Sequence, residues 1–420
     1  MSSNTAGADR RSFLRVAGLA TVGAAMAGGS ALAQAPATEG APPPTPAQQG
    51  PRLLQMPGKA RLALLQDRPL VAQTLESMLD DDTTPTDKFF VRNNGLIPEI
   101  SGERDAWRFK IDGEVNTPLE LSLGELKRRF PSTKLYLQLE CGGNGRSTFV
   151  PEARGNQWEN GGMGCARWTG VRLRDVLRTT GLKPSATYTA HYGADPTLAG
   201  QTDRPSISRG VRLAKAMEEH SLLVYEMNGE PLPLIHGGPL RLLYPGWAGS
   251  ASQKWLTRVW IRDKEHDGPG MTGTAYRVTI NPMVPGGTTP DANLRILESM
   301  PVRSIITSPA SGAEFVASRD GTRRIDLRGA AWAGDNAVRT VEVTTDYGRT
   351  WSRVQLGQPR NKYDWQRWTH SVRLPRPGFY EIWVRATDAR GTVQPFITGD
   401  WNPQGYGANP YHRIAVRLGA

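Results

Sequence analysis

The chain has 420 residues, more than one hydrophobic core usually organises and enough for two or three domains. Hydrophobic residues make up 38%, alongside 46 Gly and 32 Pro, which suits a loop-rich α+β or all-β protein better than a helical bundle. The formal net charge of +11 points to nucleic acid, an anionic substrate or an acidic partner, but the basic residues are dispersed rather than clustered.

The chain opens with Arg10-Arg11-Ser12-Phe13-Leu14, an apolar small-residue stretch over 16–27, and Ala31-Leu32-Ala33. That order predicts a twin-arginine signal peptide over 1–33, a mature start near Gln34 and a periplasmic destination, which argues against nucleic acid. This route carries folded proteins, often ones that acquire a cofactor first. Removing three Arg and one Asp lowers the charge from +11 to +9. Beyond this segment no apolar run approaches the roughly 20 residues that span a bilayer. Residues 34–50 form a Pro-rich polar tether with little to bury.

Leu, Val and Met at helical spacing predict a helix within 60–80. Further on, 119–129 and 173–180 read as short helices and 134–139 alternates as a strand. Residues 170–173 and 235–244 read as passages from loop to regular element. We assign 51–290 to one mixed α+β domain with its chemistry on loops. Residues 284–300 read as a linker. After it come short alternating runs at 304–306, 324–327, 340–345, 370–374 and 380–386. Turn signals at Asp346-Tyr347-Gly348, Arg376-Pro377-Gly378 and Asp388-Ala389-Arg390-Gly391 separate them. Residues 291–420 are therefore expected to form an all-β, immunoglobulin-like sandwich without cysteines.

The two cysteines are Cys141 and Cys165. In an oxidising compartment a pair invites a disulfide, and the count alone leaves that open. The setting of Cys141 suggests another use. Glu140-Cys141-Gly142-Gly143-Asn144-Gly145-Arg146 follows directly on the 134–139 strand. Three glycines let a bulky group approach the sulfur, a cation in the same turn favours its anionic form, and a soft thiolate suits a transition metal. A buried structural cysteine beside a turn is the competing reading of these residues.

This heptapeptide resembles the metal-ligating segment of the sulfite oxidase family of molybdenum enzymes. Phe90-Val91-Arg92-Asn93-Asn94 resembles the family's F-V-R-N-H strand end, and Ala166-Arg167-Trp168-Thr169-Gly170-Val171 its A-R-W-x-G-V/A segment. The family's main block is matched in order and spacing by 227–233, His236-Gly237-Gly238-Pro239-Leu240-Arg241, Tyr244-Pro245-Gly246 and Ser252-Gln253-Lys254-Trp255. The resemblance covers about 85–415. It implies a molybdopterin domain followed by a sandwich that pairs two subunits, with molybdenum-molybdopterin as cofactor and Cys141 as the protein ligand of the metal. No haem is expected in this chain, because it has no C-x-x-C-H and its six histidines lie in or beside the regions already described.

The same resemblance assigns Arg92, Arg146 and Trp158 to an oxyanion pocket and makes Tyr276 its phenol. Phe90, Val91, Arg92, Asn93, Asn94, Asp195, His236, Arg241, Ser252, Gln253 and Lys254 become the clasp for the cofactor, the basic members answering its phosphate. Guanidinium groups suit a small dianion through charge-assisted, multidentate hydrogen bonds. Two positions depart from the pattern. Asn94 replaces an imidazole, and Gln404, in Trp401-Asn402-Pro403-Gln404-Gly405, stands where animal and plant members place a substrate-facing Arg. No role is assigned to Cys165.

The implied reaction is sulfite plus water giving sulfate, two electrons and two protons. With no C-x-x-C-H motif and no haem module, the expected electron acceptor is a separate c-type cytochrome, and the expected assembly is a homodimer. Three other readings compete: a sulfane dehydrogenase subunit of a thiosulfate-oxidising complex, a reductase of protein methionine sulfoxide, and a metal-free binding or assembly module. The sandwich argues against the second, and Cys141, Arg92 and Arg146 together argue against the third.

Overall fold

The strand Ser132–Glu140 turns from exposed at its start to wholly buried over its last four residues. It pairs antiparallel with Met163–Arg172 in continuous register, from Ser132↔Val171 to Glu140↔Met163. Met163–Arg172 pairs in turn with Leu222–Met227, which also takes Arg241–Leu243 on its edge. A strand that enters from solvent and ends in the interior delivers the next residue, Cys141, to a protected place. The structure, a computed structural model, describes residues 50–420. The expected signal peptide over 1–33 and the tether to residue 49 lie outside the described residues.

A second five-stranded sheet runs Leu119–Ser122, Arg108–Gly113, Leu256–Arg262, Tyr188–Gly193, Gly210–Arg212, with one parallel pairing between Arg108–Gly113 and Leu256–Arg262. Its apolar face, including Phe109, Ile111, Val259 and Ile261, shares a core with Val171, Leu223, Leu242 and the helices Leu123–Arg129 and Leu173–Thr179. The fold is mostly sheet, with three short α-helices among the described residues, so the α+β expectation overstated the helical part. The expected helix over 119–129 begins as a strand, because 119–122 pair with the edge of Arg108–Gly113. The helix proper starts at Leu123, where Ser122 and Glu125 form a reciprocal capping box. Residues 60–80 form no α-helix. They supply the strands Ala63–Gln66 and Val71–Gln73 and a single 3-10 turn, Glu76–Met78, because their apolar residues also satisfy sheet burial.

Two further sheets enclose one core. The four-stranded sheet runs Arg303–Ser308, Arg323–Trp332, Gln366–Leu374, Gln355–Leu356. The five-stranded sheet runs Ala313–Val316, His412–Gly419, Gly378–Asp388, Val338–Thr344, Ser352–Arg353. Inward residues of both, among them Ile306, Leu327, Val343, Trp368, Ile382 and Val416, make up that core. The predicted runs and turns fall on these strands and their connections. The expected linker over 284–300 is partly structured instead. Leu294–Ile296 pairs with Arg277–Thr279, and Leu297 packs with Ala248, Val278 and Met300.

The two modules are not loosely joined. Leu79, Met163 and Cys165 share a buried cluster with Ile305, Ala330, Trp332 and Trp365, and Pro51–Ala420 form a single unit. Cys141 and Cys165 are both free. Cys165 donates to Asp364 Oδ1 at 3.1 Å across this junction, and burial pushes its thiol well above its ordinary pKa. It is a packed, protonated residue. Among the described residues no helix is long and apolar enough to cross a membrane.

Candidate functional site

Cys141 is buried and lies on the shared wall of two cavities, together with Arg92 and Tyr276. The larger cavity, about 650 Å³ with its open mouth included, is lined by Phe90, Arg92, Asn93 and Asn94 from the end of Val91–Arg92 and the turn after it. Asp195 closes it from beyond Tyr188–Gly193, and His236, Arg241, Ser252, Gln253 and Lys254 complete the wall. The smaller, about 400 Å³ by the same measure, adds Arg146, Trp158 and Gln404. The structure thus brings the sequence-selected residues together, except for the side chain of Val91. That side chain is fully buried with Leu54, Leu62 and Ala72 because strand alternation turns it away from Phe90 and Arg92.

The larger cavity concentrates positive charge. Lys254 Nζ donates to Asn93 Oδ1 at 2.6 Å and to Ile235 O at 2.7 Å; Arg241 Nη1 donates to His236 O at 2.9 Å. Lys59 Nζ lies 3.1 Å from His236 Nε2 and donates to the backbone oxygens of Thr86 and Phe89. Burial pulls Arg241 down to about 9 and Lys59 to about 7. His236 and Lys254 are lowered well below their ordinary values, by burial first and neighbouring cations second. Asp195 is pushed up to about 7 by its own burial. Asn93 Nδ2, Asp195 Oδ1, Arg241 Nε and Gln253 Oε1 are buried without hydrogen-bond partners. Cations crowded around a single carboxylate, beside unsatisfied donors and acceptors, describe a pocket shaped for a large, anionic, polar group.

The smaller cavity is organised differently. Arg146 Nε donates to Gln404 O at 2.7 Å and its Nη1 to Asn156 O at 2.8 Å. A Cβ at Gly405 would stand 2.7 Å from Arg146 Cγ, and one at Gly155 2.9 Å from Nη1; both glycines also have positive φ. Those glycines are what let the guanidinium lie flat in its slot. Tyr276, at φ 51°, stacks on Tyr406 with ring centroids 4.9 Å apart, and Arg146 lies over the Tyr406 ring at 5.3 Å. Gln404 Nε2 donates to Thr274 Oγ1 at 3.1 Å. The lining holds two guanidinium groups and no carboxylate.

Sequence reasoning missed Lys59, Tyr406 and Asn156. Lys59 sits in a segment before any quoted motif, and Tyr406 is one residue beyond the Trp401–Gly405 motif. Asn156 acts through its carbonyl, which side-chain patterning does not signal. Among the described residues no group of three or more His, Cys, Asp or Glu is placed to hold a metal ion. A metal at Cys141 therefore needs further donors that a bound cofactor brings.

Known proteins resemble the chain over most of its length. Residues 94–270 match the oxidoreductase molybdopterin binding domain, and 295–419 match the Mo-co oxidoreductase dimerisation domain. The chain is 35% identical to mitochondrial sulfite oxidase of Drosophila melanogaster over 80% of its own length, spanning 59% of that protein. It is 31% identical to sulfite oxidase of Gallus gallus over 88% of its length, spanning 81% of that relative. Its fold is similar to the sulfane dehydrogenase SoxCD of Paracoccus pantotrophus, with a TM-score of 0.69 and 25% identity over 92% of this chain and 94% of that one. The chain is a member of the sulfite oxidase family of molybdopterin oxidoreductases, and molybdenum-molybdopterin is its cofactor.

Proposed function

We propose that the chain oxidises sulfite to sulfate, with the cofactor in the larger cavity and the substrate in the smaller one. The observation that carries this reading is the shared wall: Cys141, Arg92 and Tyr276 touch both spaces, so a group held by Cys141 would face a small pocket containing two guanidinium groups and no carboxylate. The residues fit the cofactor. Arg241, Lys254 and His236 answer its phosphate, and the unpartnered atoms of Asn93, Asp195 and Gln253 answer its polar ring edges. When bound, the cofactor supplies two-electron redox chemistry in which sulfite and water become sulfate, two protons and two electrons.

The protein's own part is orientation and charge. Arg92 and Arg146 bind the oxyanion, and because Arg146 is already held by two carbonyls it needs no rearrangement to do so. Trp158, 1% exposed, closes one side and excludes water. Tyr276 directs its phenol to substrate, its ring fixed by Tyr406. Gln404 offers an uncharged amide to the same space.

Electrons leave to a separate c-type cytochrome. The strand order of residues 291–420 supports an immunoglobulin-like sandwich through which two copies pair, and the twin-arginine pattern in 1–33 supports a periplasmic enzyme. The test is sulfite-dependent reduction of ferricyanide and of cytochrome c by protein of known molybdenum content. Turnover with both acceptors is the expected result. A protein purified without metal that binds none would leave the scaffold reading.

A second reading has specific support. The likeness to a sulfane dehydrogenase, together with an uncharged Gln404 in the substrate cavity, fits oxidation of a sulfane sulfur carried by another molecule. Full molybdenum occupancy without sulfite turnover would select it.

A further inference from the structure

Glu140, the residue before Cys141, is 1% exposed, and its carboxylate takes three donors. One comes from its own turn, Asn144 Nδ2 at 2.8 Å. The other two come from the sandwich: Arg303 Nη1 at 3.2 Å and Trp332 Nε1 at 2.7 Å. Arg303 Nη1 also reaches Asn144 O at 3.1 Å and Ala408 O at 3.0 Å, and its Nη2 pairs with Asn160. Asn144 Oδ1 accepts from Gly162 N at 2.9 Å, while Gly407 N donates to Gly142 O at 2.9 Å. The backbone over 140–144 is thus gripped on both sides of Cys141 by residues far away in sequence.

None of Glu140, Arg303 and Trp332 lines either cavity, so direct contact with substrate or cofactor does not explain them. Stability is also a poor explanation. A buried ion pair gives little over a well-packed apolar replacement, and in some proteins what it adds is a fixed geometry for the groups it joins. What it holds here is the turn that presents one sulfur atom.

We propose that Glu140, clamped by Arg303 and Trp332, is a positioning residue for Cys141, and that through this clamp the sandwich sets the geometry of the metal site. This rests on the cofactor reading above. A sulfur displaced by a fraction of an ångström would change metal–sulfur overlap without changing which residues are present, so the clamp should register in the spectroscopy and redox potential of the metal.

The test uses the holoenzyme with Trp332→Phe, which removes one N–H donor and keeps an aromatic ring, and Glu140→Gln, which keeps the shape and removes the charge. Molybdenum content, Mo(V) electron paramagnetic resonance, midpoint potential and steady-state kinetics are compared with wild type. The expected result is altered g values and potential per bound metal, with kcat lowered about 10-fold or more and KM little changed, as for other partners that orient a metal ligand. Should Glu140→Gln fail to fold, Trp332→Phe alone decides. Unchanged spectra and potential would overturn the proposal, as would a fall in kcat that merely tracks lost metal. Wild-type protein that binds no molybdenum would instead overturn the cofactor reading.

Discussion

The two cavities that meet at Cys141 are built on opposite principles. In the larger, His236, Arg241 and Lys254 crowd together with Lys59 behind His236, burial lowers all four, and several polar atoms have no partner. In the smaller, Arg146 is held by two carbonyls and sheathed by glycines. The first is strained until something anionic fills it; the second is finished beforehand. A resident group can compensate a strained pocket once, when it is installed. A substrate that comes and goes needs a pocket that costs nothing to rebuild at each turnover.

The comparison breaks first at the shared wall. Cys141→Ser exchanges a soft donor for a hard one on the wall both cavities share, and turnover should fall by at least about three orders of magnitude, as when a member of a catalytic unit is lost. Only one buried atom changes, so the thermal midpoint of the cofactor-free protein should move by no more than a few degrees. Retained turnover would remove Cys141 from the chemistry.

Arg241→Met should act in opposite directions on the two forms of the protein. With cofactor, it deletes charge-assisted hydrogen bonds of about 2 kcal/mol, weakening retention roughly 30-fold in a molybdenum assay after dialysis. Without cofactor, it removes a buried cation from among like charges, and thermal unfolding should show a more stable protein. Arg146→Lys should do neither. It loses the planar fork, so under the proposed function KM for sulfite should rise about 10-fold with metal content unchanged. A variant at Arg146 that lost metal would show that the two cavities are not separable.

How much of this was legible follows the same division. Residues that act by side-chain identity, such as Cys141, Arg92, His236, Arg241 and Lys254, announced themselves in compact motifs, and the structure brings them to one place. The sandwich strands were readable because one inward face imposes alternation. What stayed hidden depends on the third dimension. Lys59 matters because the chain returns past His236, and Asn156 matters through a carbonyl. The apolar spacing over 60–80 fits helix or strand about equally, and only pairing of Val71–Gln73 with Val91–Arg92 decides it. Trp332 and Arg303 read as sandwich residues, and nothing local tells that they reach Glu140.

The smallest effect concerns the single carboxylate of the larger cavity. Asp195 has its pKa raised from 3.8 to about 7, chiefly by burial, with Oδ1 unpartnered. Between those two values the folded cofactor-free protein binds more protons than the unfolded chain, so this group makes stability fall as pH rises from about 4 to about 7. Lys59 acts in a different window. Its pKa is lowered from 10.5 to about 7, so between those values the unfolded chain binds more protons and stability rises with pH. Asp195→Asn removes only the first contribution. The variant should match wild type in thermal unfolding near pH 4 and exceed it by a few degrees at pH 7.5 and above. A constant offset across the whole range would mean that hydrogen bonding of Asp195, and not its charge, is what the pocket holds in reserve for the cofactor.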